Sequence, residues 1–479
     1  MHKCINKVDS NINFSYFFLE LGANTVLNTF SEYENFGHSK LMNKYKNFKQ
    51  FQQNQRKGIL IGKDADCNES IENDAVDFFL SNSNQNDENC WIELIQVFEN
   101  EEPHFDYYTT ELLVSNSIQI AETCEPSVIF HILLFIFYIL QKHSQYVTDI
   151  FEKTQISIFI GSIITDSDSE IDLIIQAFNI LDTYLHPLND DEDFKIQWAS
   201  ELLCKLNALI DSGIENPIFS LSLSNSQVLL EKGVFTTEEM HHNFVFYISL
   251  IKDLPQVDLF YGIKNFEIIL NRFPCFYDEF YNSYHETFEF IYNTLSSNNP
   301  LIVQSSINIL IPIISYNDNY FLRNDFIQIC LQQVQDNKNE DLAYSFTKFL
   351  IKFCSISQEA CIQLISFDFL KCKNLLQYGY RVTTNLIQIL KHIVDKTKIY
   401  LDSFTTENIS YLLDSFIFSD KDSDIITVLD TVISLLPINF PFSEYLIENI
   451  CRLTEDSDIN ALIIEKASFI IQKLNHQNN

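Results

Sequence analysis

The sequence predicts an all-α protein, a solenoid of stacked helical repeats, on three observations. A unit recurs in which a short acidic or Asn-rich turn precedes a helix with apolar residues three and four apart. It is seen in Asp166–Leu185, Ser297–Ser315, Asp336–Ser355, Ser419–Pro437 and Thr454–Leu474. The turns begin at 166, 297, 336, 419 and 454, with gaps of 131, 39, 83 and 35. These are near three, one, two and one units of about 40 residues, the period of stacked helical repeats. The third observation is that 9 Gly and 10 Pro punctuate 479 residues, so glycine-rich turns and phosphate-cradling loops are scarce.

In chain order, Phe14–Phe30 reads as one amphipathic helix. Ser39–Lys63 carries Lys40, Lys44, Lys46, Lys49, Arg56, Lys57 and Lys63 and no acid, a basic arm. Residues 64–89 form an acidic linker ending in the polar tract Ser81–Asn89. Cys90–Asn100 reads as a short helix with Trp91, Leu94, Ile95 and Phe98 on one face. The expected division is an N-terminal region at 1–104, partly disordered, and the solenoid at 105–479.

Val128–Leu140 is the most apolar run, but it spans 13 residues, and a membrane helix needs about 20. It reads as a helix buried on all sides, with His131 a hydrogen-bonded core histidine. No membrane span is expected. Ser167 with Glu170, and Thr236 with Glu239, have capping-box spacing. Asn299 before Pro300 reads as an N-cap with proline at the first helical position. Gly213 and Gly233 suit helix ends. Strand alternation is hardly visible; Phe219–Leu223 is the main ambiguity.

Within each unit the post-turn helix shows one apolar face. Ile171, Ile174, Ile175, Phe178 and Leu181 make one; Ile425, Leu429, Val432, Ile433 and Leu436 make another. A single unit cannot bury such a face, so neighbours must stack. The pre-turn segments Ile156–Ile164, Phe280–Leu295, Phe321–Val334, Ile409–Phe418 and Tyr445–Leu453 are also apolar and helical in pattern.

The formal net charge is -34. Residues 1–63 carry net +5, residues 64–141 hold 16 acids and no Lys or Arg, and residues 142–479 carry net -23. Such acidity repels phosphate backbones and anionic lipid, so direct nucleic-acid binding is disfavoured and basic partners are favoured. The 11 cysteines are scattered without a CxxC pair. Together with an N-terminus lacking a signal-peptide core, they indicate a reducing intracellular setting, cytoplasm or nucleus.

The order apolar helix, acidic turn, then "acid-x-apolar-x-x-x-apolar-x-x-apolar" appears in Asp168–Leu181, Asn339–Leu350 and Ser423–Leu436. It resembles armadillo and HEAT-type repeats over residues 105–475, as seven to nine units. The resemblance implies a right-handed superhelix whose post-turn helices line a groove for protein segments. Importin-α-type adaptors of that superfamily carry Trp and Asn ladders on their groove helices. This chain has only Trp91 and Trp198, with Leu202 four residues after the latter, so cargo binding of that kind does not transfer.

Catalytic and metal motifs are weak. Gly58–Asp64 has three residues between its glycines and Asp64 after Lys63, whereas a phosphate loop needs four and then Ser/Thr. His285-Glu286-Thr287-Phe288-Glu289 lacks the second His of a zinc-protease helix. The adjacent His241 and His242 point about 100° apart on a helix and cannot easily share one ligand set. The acidic runs Asp166–Glu170 and 189–193 lack the central Gly of a calcium loop. No catalytic, cofactor or metal residues are assigned.

The expected function is therefore a non-enzymatic scaffold or adaptor that binds partner proteins, favouring basic segments. The alternatives the resemblance implies are a nuclear-transport-like adaptor for basic cargo and a chaperone or GTPase-regulator type. The polar residues opposite the apolar stripes would read the partner: Gln176, Asn179, Asp182, Gln304, Asn308, Asn385, Gln388, Thr427 and Asp430. Amides can bond a peptide backbone, and acids select Lys/Arg.

Overall fold

The structure is a computed structural model. It describes residues 79, 87–101, 105–166, 169–188, 195–214, 216–323, 325–366, 378–397, 403–417, 419, 421–455 and 459–477. The basic arm at 39–63, the loop Gly58–Asp64, Ser167 and the acidic run 189–193 lie outside the described residues. The described residues form helices and short turns, with one isolated bridge between Ile196 and Gly233. The chain divides into two compact units, Met1–Phe235 and Thr236–Asn479.

The first unit contains α1 (Glu88–Glu101), α2 (Tyr107–Ala121), α3 (Pro126–Lys142), α4 (Val147–Lys153), α5 (Ile156–Thr165), α6 (Ile171–Leu188), α7 (Ala199–Asp211) and α8 (Ile218–Lys232). Helices α3, α6 and α8 pack in succession, each with a partner helix, α2, α5 and α7. Helix α1 packs on α3: Trp91 meets Phe135 edge-on at 5.7 Å, and Phe79 stacks on Phe135 at 5.3 Å. The packed body thus starts before residue 105. The segment Phe219–Leu223 lies inside helix α8, where the Ser222 and Ser226 hydroxyls bond carbonyls four residues back.

Helix α3 buries Val128, Ile132, Leu133, Phe135, Ile136, Ile139 and Leu140. Phe130, Leu134, Phe137 and Tyr138 remain half-buried, so the helix is covered on one face rather than on all sides. His131 is likewise half-buried, with Nδ1 at 2.9 Å from the Ser127 carbonyl. Among the described residues no single helix is long and apolar enough to cross a membrane. Helix α3 with Ser144–Lys153 passes by length and composition, but the pair bends by 93° at the break.

The second unit contains α9 (Thr237–Leu250), α10 (Leu259–Arg272), α11 (Phe276–Ser283), α12 (His285–Asn293), α13 (Pro300–Ile313), α14 (Asp318–Arg323), α15 (Phe326–Asn337), α16 (Glu340–Ile356), α17 (Gln358–Ser366), α18 (Tyr380–Thr397), α19 (Ser403–Phe416), α20 (Asp422–Leu435), α21 (Glu444–Glu455) and α22 (Ala461–Gln477). The post-turn helices α10, α13, α16, α18, α20 and α22 pack in one continuous row. Phe266, Ser306, Phe346, Leu386, Val428 and Ala467 are buried in equivalent places along it, about 40 residues apart, the expected period.

Hydrogen bonds between helices obey the same arithmetic. Lys252–Glu286, Thr287–Ile248, Arg381–Asp341, Ser434–Asp395 and Asn460–Asp422 join residues separated by 34, 39, 40, 39 and 38 positions. Each repeat thus bonds to its neighbour, which makes stability a sum of nearest-neighbour terms.

Thr236 and Glu239 form a full capping box on α9, and Asn299 caps α13 ahead of Pro300. The pre-turn segments expected as single helices at 280–295 and 321–334 are each broken. The first breaks at Tyr284, where φ is -119° and ψ 52°. The second breaks before Asp325, which sits in the left-handed region at φ 52°. The second break lets both Phe321 and Phe326 reach Phe349 of α16, at 5.3 and 4.0 Å between ring centroids.

Candidate interaction surface

The post-turn row of the second unit holds most of the expected reading residues, and its polar groups bond across the stack. Asn308 donates from Nδ2 to Glu267 Oε1 at 2.9 Å, and Lys264 Nζ donates to the other oxygen at 3.0 Å. Asn385 is buried and donates to Thr347 Oγ1 at 2.9 Å. Thr427 donates to the Ser423 carbonyl of its own helix at 2.8 Å. Gln304 and Gln388 are half-buried on the same row. In the first unit Gln176 is buried and accepts from Asn179 at 3.1 Å, while Asp182 is half-buried.

Asp430 accepts from Lys391 Nζ at 3.3 Å and from Lys466 Nζ, so one carboxylate joins three successive helices, α18, α20 and α22. Burial pushes the Asp430 carboxyl up, but hydrogen bonds and charge from Lys466 and Lys391 outweigh it and hold the group below its ordinary value. A depressed carboxylate stabilises the fold above its unfolded value of about 3.9, and that gain is lost as pH falls through the lowered folded value. Asp430→Asn is expected to cost about 1–2 kcal/mol near neutral pH, because two lysines then face each other. Urea titrations at neutral and strongly acid pH check this: the difference between the two proteins should shrink in acid, and a pH-independent difference would remove the electrostatic account.

The two helix rows of this unit differ sharply in charge. The post-turn helices α10, α13, α16, α18, α20 and α22 contain 9 Lys/Arg and 8 Asp/Glu. The pre-turn helices α9, α11, α12, α14, α15, α17, α19 and α21 contain 2 and 14. The acidity of this unit is therefore concentrated on the pre-turn row, whereas the sequence reading assigned the acidic contacts to the post-turn helices. The signal was present in the pre-turn segments, but it becomes a surface only once those helices are aligned in one row.

Aromatic side chains stand among these acids. Tyr281 of α11 lies 5.9 Å from Tyr316 with ring planes 28° apart, and edge-on to Phe288 at 5.6 Å. Asn317 donates to the Tyr281 hydroxyl at 2.8 Å. Tyr320 of α14 meets Phe288 at 5.0 Å and bonds Glu289. Burial first, and the bonded Glu289 carboxylate second, push the Tyr320 hydroxyl well above its ordinary value, so it stays protonated as a donor. Tyr411 and Tyr445 of α19 and α21 are exposed on the same row.

The histidines that could have ligated metal take other partners. His241 Nε2 lies 3.0 Å from Glu279, and His285 Nε2 lies 3.6 Å from Glu289. Among the described residues no group of three or more His, Cys, Asp or Glu is arranged to hold a metal ion. None of the eight described cysteines is in a disulfide, and Cys330, Cys354 and Cys361 are buried.

Among the described residues each unit is an all-α stack of helical repeats. Among solved structures, a crystal structure of an engineered protein aligns with a TM-score of 0.53 at 8% identity, over 86% of this chain and 96% of that one. A crystal structure of importin beta in an ammonium sulfate condition aligns with a TM-score of 0.43 at 11% identity, over 81% of this chain and 53% of that chain. No family model and no curated protein matches the chain.

Proposed function

We propose that the protein is a non-enzymatic interaction scaffold that binds a partner protein bearing a basic segment, and that the partner docks on the pre-turn row of the second unit. The segregation of charge carries this reading. Fourteen acids against two bases on one row form a surface that attracts cations, while the neighbouring row is balanced. Long-range attraction of this kind steers association and weakens as salt shortens the screening length. The scattered cysteines, without a CxxC pair, fit the intracellular setting proposed with it.

A basic peptide titrated into the full chain at rising salt tests the proposal. Reversing exposed acids of the pre-turn row, Glu238→Lys with Glu286→Lys and Glu448→Lys, is expected to weaken binding by more than about ten-fold at low salt. Reversing Asp341→Lys and Glu465→Lys on the post-turn row should change it by less than about two-fold. Equal losses from both sets would mean that net charge, not this surface, governs binding.

A further inference from the structure

An acidic surface steers a partner but does not hold it. Exposed ion pairs contribute about 0.2–1 kcal/mol each, and micromolar affinity needs about 8 kcal/mol. The balance comes from anchors, most often Tyr, Trp or Arg set in a desolvated patch. The tyrosine surface at α11, α12 and α14 has the required chemistry. Phe280 and Phe288 are fully buried, whereas Tyr316 remains 45% exposed. Tyr316 is held against Tyr281, and Tyr281 in turn by the Asn317 amide, so its ring is already ordered before any partner arrives. Glu289, half-buried, stands beside Tyr320 at the same patch.

The chain satisfies one of its own arginines in this manner. The Arg381 guanidinium lies 5.0 Å over the Tyr344 ring and bonds Asp341 at 2.8 Å. Ring face and carboxylate together take up a planar cation that stacks and donates at once. Tyr316, stacked on Tyr281 and open to solvent, presents such a ring in the unit whose pre-turn helices carry the acids.

We infer that the Tyr281–Tyr316 pair anchors the partner by an arginine side chain, its guanidinium stacked on the open Tyr316 ring. Arginine suits this site better than lysine. Its planar, weakly hydrated guanidinium stacks on a ring and donates in a fixed fork, whereas an ammonium is a compact, strongly hydrated point charge. The inference rests on the proposed basic partner of the pre-turn row and adds its anchor and residue type.

Fluorescence anisotropy with labelled nona-arginine and nona-lysine on the full chain tests it. Nona-arginine should bind about five-fold or more tightly than nona-lysine. Tyr316→Leu, which keeps an apolar side chain but removes the ring, should abolish that preference while leaving nona-lysine binding within about two-fold. Tyr316→Phe, which restores a ring, should recover it. Far-UV circular dichroism confirms that each variant is folded. Equal affinity for the two peptides, or a preference that survives Tyr316→Leu, overturns the arginine anchor and leaves the acidic-row reading standing. Binding of neither peptide at low salt overturns both.

Discussion

Replacing Phe349 by alanine is expected to cost the second unit about 3–5 kcal/mol. Phe349 is fully buried in α16 and sits where three helices meet. It stacks on Phe326 of α15 at 4.0 Å with planes 25° apart, and meets Phe321 of α14 and Phe353 of its own helix edge-on at 5.3 and 5.5 Å. Alanine would leave a cavity bounded by rigid rings, which cannot collapse into it, and would also remove the geometry-specific gain of aromatic pairs, about 0.5–1.5 kcal/mol each. Leucine at the same position should cost less, since it refills most of the volume. Denaturant unfolding gives the magnitude. Amide exchange should show the loss centred on α14 to α16, because each repeat bonds to its neighbour. A loss below about 1 kcal/mol would mean that the site repacks and that the aromatic contacts are dispensable.

The second large effect concerns two glycines that a sequence treats alike. Gly233→Ala should destabilise the first unit by about 2–3 kcal/mol. The added Cβ would meet the Ala199 Cβ, the Leu229 carbonyl oxygen and a Phe235 ring carbon, each at 2.5 Å. Backbone and a Cβ cannot swing aside as a long side chain can. The close approach exists because Ile196 bonds on both sides of this glycine, donating to the Lys232 carbonyl at 3.0 Å and accepting from the Val234 amide at 3.2 Å. Gly213→Ala should cost only about 1 kcal/mol, the penalty of a left-handed backbone at φ 74°, since nothing lies within 4 Å of the added atom. Thermal unfolding of the two variants compares them directly; equal shifts in Tm would show that Gly233 is selected for conformation rather than for space.

Much of this molecule was legible before folding. The capping box at Thr236 and the Asn299–Pro300 start are local bonds between residues two or three apart, so they survive from sequence to structure unchanged. The post-turn helices were legible for a similar reason: a 3.6-residue apolar stripe reports burial on one face whatever lies opposite. The breaks at Tyr284 and Asp325 were not, because continuous helix would satisfy the same stripe; the one at Asp325 lets Phe321 and Phe326 both reach Phe349.

The candidate site divides the same way. Asn308, Asn385 and Asp430 were recognisable as polar positions opposite apolar stripes, but their partners Glu267, Thr347 and Lys391 lie 41, 38 and 39 residues away. Sequence alone therefore determined the helical class, the period of about 40 residues and the overall acidity, since each follows from composition or from contacts within one turn of helix. Only the tertiary structure decided which polar groups bond across the stack, which glycine has no room for a methyl, and which row of helices carries the charge. Those outcomes depend on atoms brought together across a whole repeat, where register and approach distance rather than local pattern set the energy.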